Sequence, residues 1–177
     1  MFNHLRHRQR GFTLIELLLV VLIIGLIASI LIPNLIDAIH KAKQRRTMGE
    51  LRLIGTAWMN WFTDHNGAAA SGAQKTYNVA TFSQHTYPQM FGYLHPSDTF
   101  FYIQEVPQFD PWGSPLRYFM NDSAQSEAQM LMCALARDGI PDFCDGATNI
   151  PIGPFIATDF DSDIIWADGY LLRWPDI

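Results

Sequence analysis

Positive charge is scarce through most of this chain. Of its 12 lysines and arginines only five (Arg52, Lys75, Arg117, Arg137, Arg173) lie from Gly49 onward, against fifteen of its 17 acids. Nucleic acid is therefore not expected as a ligand of that part, because phosphate binding needs the opposite field. Cysteine is nearly absent: Cys133 and Cys144 stand eleven apart, free to pair in an exported protein and expected as thiols in a cytosolic one. There is no internal repeat, no Gly-x-Ser-x-Gly and no His-Glu-x-x-His. His4 and His7 lie at the extreme N-terminus and His40, His65, His85 and His95 are scattered, so the chain reads as a non-enzyme.

Charge is rarest between Phe12 and Ile36, where Glu16 alone interrupts an apolar run. As a helix at 1.5 Å per residue this stretch spans about 37 Å, enough for a hydrocarbon core of roughly 30 Å. The eleven residues before it are basic and polar. The apolar run is too long for the h-region of a secretory signal, and no small-x-small cleavage site follows it.

Beyond Ile36, apolar residues at Ile39, Met48, Leu51, Ile54, Trp58 and Trp61/Phe62 recur at helical steps, predicting an amphipathic continuation. Asp64-His65-Asn66-Gly67 is the expected stop. Residues 12–64 thus read as one long helix, kinked at Pro33 where a backbone donor is lost. Residues 67–74 read as a flexible connection and 76–109 as an irregular, aromatic-rich packed segment with at most one short helix. Strands are expected at 116–120, 130–135, 164–167 and 170–174, the last two joined by a tight turn at Asp168-Gly169. The fold class is α+β: a long helix, half membrane-spanning and half amphipathic, on a small antiparallel sheet.

Arg10-Gly11-Phe12-Thr13-Leu14-Ile15-Glu16-Leu17 resembles the processing and methylation site of type IV pilins and pseudopilins. The resemblance implies a leader 1–11 cut between Gly11 and Phe12 by a prepilin peptidase, N-methylation of Phe12, and a pilin fold. Glu16 becomes the fifth mature residue, expected to pair with the terminal amine of a neighbouring subunit, and Pro33 matches a proline these helices often carry. A carboxylate at the edge of hydrocarbon is a functional candidate on physical grounds as well, since its insertion costs several kcal/mol unless neutralised. Lys41, Lys43, Arg45 and Arg46 balance Arg6, Arg8, Arg10 and the α-amine, so charge counting leaves orientation open. The resemblance places the leader inside and the head, 65–177, in the periplasm of a bacterium, anchored by a single pass through the inner membrane.

Asp110-Pro111-Trp112-Gly113-Ser114-Pro115-Leu116-Arg117-Tyr118 resembles the Asp-Pro-Trp-Gly-x-Pro-x-x-Tyr pattern of major pseudopilins of type II secretion systems. Its expected role is structural: a fixed turn, with Trp112 anchored in the core. Asp161-Ser162-Asp163-Ile164-Ile165-Trp166 is similar to an acidic segment near the pseudopilin C-terminus that helps hold calcium. Asp159 precedes it at alternate spacing, and Asp138 matches an Asp-Gly before the family's calcium loop. Three close carboxylates suit a hard cation with oxygen ligands. The resemblance thus implies a calcium site from Asp138, Asp159, Asp161 and Asp163, although a long insertion carrying Cys144, Pro141, Pro151 and Pro154 separates the first two. A Cys133–Cys144 disulfide clamping strand to loop is expected in an exported head.

The implied function is that of a structural subunit of a secretion pseudopilus, polymerising with its own copies through the helix. Its implied partners are minor pseudopilins, an inner-membrane assembly platform and the lipid bilayer. The alternative is a type IV pilus subunit serving adhesion, motility or DNA uptake.

Overall fold

A computed structural model describes residues 11–65, 76–78, 82–121, 130–145 and 149–177. The expected flexible connection at 67–74 lies outside the described residues. The chain divides into two units, 1–38 and 39–177.

Helix α1 runs over Leu14–His65, with Pro33 inside it. In the first unit the helix has no buried face. Leu17, Leu19, Leu22, Leu26 and Ile30 are all more than half exposed, so every side of the cylinder offers apolar surface to lipid or to other helices. Nothing in this segment interrupts it for a membrane length.

In the second unit α1 does become one-sided. Leu51, Ile54, Ala57 and Trp58 are buried, while Leu53 and Arg52 face outward. This is the three-and-four spacing of a stripe that covers a sheet. Two short strands, β1 (Thr76–Asn78) and β2 (Phe82–His85), follow, then α2 (Tyr87–Leu94). Helix α2 starts where Thr86 donates its backbone N–H to Gln89 Oε1 at 2.8 Å, with Pro88 in the first turn, where a missing donor is harmless.

The remaining strands are β3 (Arg117–Asn121), β4 (Met130–Ala134), β5 (Asn149–Pro151), β6 (Gly153–Ile156), β7 (Ile164–Ala167) and β8 (Tyr170–Asp176). Six form one sheet in the order β2-β3-β4-β7-β8-β6, and β1 pairs with β5 separately. The expected hairpin is present: Asp168 (φ 42°) and Gly169 (φ 107°) connect β7 to β8, as a tight turn between right-twisted strands requires.

The sheet is not wholly antiparallel, as the sequence led us to expect. Strand β6 pairs parallel with β8 at the outer edge. Its Pro154 lacks an N–H and the strand lacks alternation, which hid it in the sequence and suits it to an edge.

Both sheet faces are covered. Tyr118, Met120, Met130, Met132, Ala134, Ile164 and Trp166 join the core under α1, while the alternate residues Phe119, Leu131, Cys133, Ile165 and Ala167 pack with Leu135, Cys144, Ile150 and Leu172. Double burial explains why β4 and β7 read as continuous apolar runs.

Candidate functional site

The N-terminal motif opens α1 with a reciprocal cap. Glu16 Oε2 accepts from the Thr13 backbone N–H at 2.9 Å and from the Thr13 hydroxyl at 2.7 Å, and Thr13 Oγ accepts from the Glu16 N–H at 3.3 Å. Thr13-Leu14-Ile15-Glu16 is thus a capping box, satisfying donors that a helix start leaves open. The Thr-x-x-Glu spacing carries that signal, and Thr13 is a residue the sequence reading did not single out. Gly11 and Phe12 precede the helix. Among the described residues nothing lies within 4 Å of a side-chain position at Gly11, and Phe12 is 77% exposed.

The Asp110 turn docks on the same helix in the second unit. Asp110 Oδ1 accepts from the backbone of Trp112 (3.0 Å) and Ser114 (2.9 Å), and its own N–H donates to Ser114 O at 2.8 Å. Gly113, at φ 98°, closes the turn in a conformation other residues resist. Burial raises the Asp110 pKa against these hydrogen bonds, and among the described residues its Oδ2 has no partner. Trp112 departs from expectation. It is half-buried rather than a core anchor: its Nε1–H donates to His40 Nδ1 at 3.2 Å and its ring lies 5.9 Å from Lys43 Nζ. The indole thus meets α1 through His40 and Lys43.

Four acids are implied as metal ligands, and the structure gives each different partners. Asp159 Oδ1 accepts from the N–H groups of Asp161 and Ser162, and its Oδ2 from the Ser162 hydroxyl at 2.8 Å, so it caps its own turn. Asp161 is gripped by Arg137, whose Nε donates to Oδ1 at 2.8 Å and whose Nη2 donates to Oδ2. Asp138 is exposed and accepts from the Ile140 N–H. Asp163 is fully buried; its Oδ2 accepts from the N–H groups of Asp142 (2.9 Å) and Phe143 (3.3 Å), while among the described residues Oδ1 has no partner.

Burial, opposed by those two hydrogen bonds and reinforced by the Asp142 and Asp138 charges, pushes the Asp163 pKa up to about 6. A buried carboxylate oxygen without a partner is rare, and an ion is one of the few ways to satisfy it. Asp163, with the acidic charge of Asp138 and Asp142 near it, therefore fits a hard cation. Asp161 differs, since Arg137 donates to each of its oxygens and a cation there would meet the guanidinium charge. Among the described residues no group of three acids, histidines or cysteines converges to hold a metal.

Beside this loop Cys133 and Cys144 are joined through their sulfurs, with Cα atoms 6.2 Å apart. Arg117 Nη1 donates to Cys144 O at 2.8 Å, and Arg173 lies 5.0 Å over the Phe143 ring. The start of the insertion is thus tied to β3, β4 and β8.

Residues 6–32 match the family described as the prokaryotic N-terminal methylation motif. The chain is similar to type II secretion system core protein G of Klebsiella pneumoniae, 30% identical over 82% of this chain and 97% of the relative. It also resembles the protein of that name from Pectobacterium carotovorum, 28% identical over 76% and 80% of the two chains. The type IV major pilin protein PilA of Myxococcus xanthus is 46% identical, but over 32% of this chain and 26% of its own. No solved structure matches. With nearly the whole length of a relative covered at that identity, and a pilin-type helix and sheet to go with it, the chain belongs to the type II secretion system core protein G family, the major pseudopilins.

Proposed function

We propose that this chain is the structural subunit of a periplasmic pseudopilus that helps drive protein export. One observation carries the reading: a Gly-Phe-Thr-Leu-Ile-Glu motif opens a helix whose first, apolar part has no buried face, in a chain that spans 97% of a core protein G. A prepilin peptidase cuts between Gly11 and Phe12 and Phe12 is methylated. The helix holds the subunit in the inner membrane by a single pass, with residues 65–177 in the periplasm. Subunits, with minor pseudopilins, leave the bilayer through an inner-membrane assembly platform and pack by their apolar helices.

Glu16 is acceptor-only when ionised, and Thr13 uses one of its two oxygens. The other remains for the terminal amine of a neighbouring copy, an attraction strengthened where water is excluded. Pro33 leaves a carbonyl of the preceding turn without its helical donor, a weak point at which the packed helix can bend. Calcium, where bound, would be held at Asp163 with Asp138 beside it, neutralising charge in the loop; that role is structural.

The pilin alternative rests on a match to less than a third of the chain. Deleting the gene and scoring both export and surface pili separates the two readings. Loss of export with unchanged motility and DNA uptake supports the pseudopilus; the converse supports a pilus.

A further inference from the structure

The segment 159–163 is fixed from two sides. From α1, Gln44 Nε2 donates to Asp159 O at 3.0 Å and the His40 ring lies 4.8 Å from that of Phe160. From the end of β4 comes Arg137. Its backbone N–H donates to Phe160 O at 3.0 Å, its guanidinium lies 5.8 Å from the Phe160 ring, and it grips both oxygens of Asp161. The preceding residue, Ala136, takes a left-handed conformation (φ 56°), which turns the chain toward this loop. Arg137 lowers the Asp161 pKa, chiefly through these side-chain hydrogen bonds.

A two-pronged guanidinium–carboxylate pair is the best directional match either group has. A divalent ion on Asp161 would have to expel Arg137 or share the carboxylate with it, placing two cations within a few ångströms. We infer that in this chain Arg137 supplies the positive charge of the Asp159–Asp163 loop. Asp161 is an ion-pair partner and not a metal ligand, and Arg137 is what keeps metal away from it. Cation binding falls instead to the free oxygen of Asp163. The inference rests on this local geometry and not on the secretion reading, which its failure would leave intact.

The test is calcium titration of the full processed chain in detergent, followed by calorimetry, with thermal melting to establish that each variant is folded. Asp161→Asn is expected to leave calcium binding within about twofold of the wild type, because affinity follows the charge of the actual ligands. Arg137→Gln frees Asp161 and is expected to tighten binding about tenfold, a gain removed by adding Asp161→Asn. Arg137→Lys, which keeps the charge but loses the fork, should gain less than Arg137→Gln. If Asp161→Asn alone abolishes calcium binding, or if Arg137→Gln brings no gain, the inference is wrong. A wild type that binds no calcium overturns the assignment of cation binding to Asp163.

Discussion

Gly55 of α1 lies flat against the indole of Trp166 on β7, so closely that a methyl group built on Gly55 would overlap the six-membered ring. This contact sets the approach of helix to sheet. A glycine in mid-helix costs up to about 1 kcal/mol relative to alanine, and the contact explains why one is kept there. Gly55→Ala is expected to destabilise the protein by about 1–3 kcal/mol despite its better helix propensity. Thermal melting checks the sign: a rise in Tm would mean that the indole yields easily.

Glu16 is remote from the folded head in sequence and, among the described residues, bonds within its own helix start. Glu16→Gln should therefore leave the melting of the head unchanged while abolishing polymer formation in cells. Cross-linking of whole cells followed by size separation reads the second effect. Polymers of normal length in that variant would remove Glu16 from the assembly step.

The Cys133–Cys144 bridge closes a loop of about a dozen residues, for which chain-entropy arguments give about 2–4 kcal/mol. Reduction, or Cys133→Ala with Cys144→Ala, should lower Tm accordingly. The loss should open residues 139–145 to protease before the rest of the head. Cleavage that begins elsewhere would show that Arg117, Asp163 and Arg173 hold the loop unaided.

Burial raises the pKa of Asp110 above its ordinary 3.8. The folded state therefore binds a proton more tightly than the unfolded one, and stability from this group is greatest at low pH and falls as pH rises through the raised value. Asp110→Asn should flatten that slope in a plot of Tm against pH. An unchanged slope would place the titration elsewhere.

The long helix, the β7–β8 hairpin and the inner strands were legible because each is written in one local pattern: an unbroken apolar run, Asp168-Gly169, and contiguous buried residues from Met130 to Ala134. Strands β1, β2, β5 and β6 were not. They are three or four residues long, and Pro151 and Pro154 argue against strand where only an edge permits it. The N-terminal motif placed Gly11, Phe12 and Glu16 at an exposed helix start, yet its Thr13 partner was passed over. The acidic loop was the hardest part, since spacing says that Asp159, Asp161 and Asp163 are near one another and nothing about which donors face them. Arg137, 24 residues before Asp161, decides that and leaves no local trace.

Strand β6 closes one rim of the six-stranded sheet, and Pro154 sits inside it with no hydrogen to give. A second copy laid edge to edge there would meet a missing rung, and four residues are too few to compensate. Growth by stitching sheets together is thereby discouraged on that side. In the proposed filament, identical heads would then crowd side by side without joining through this edge.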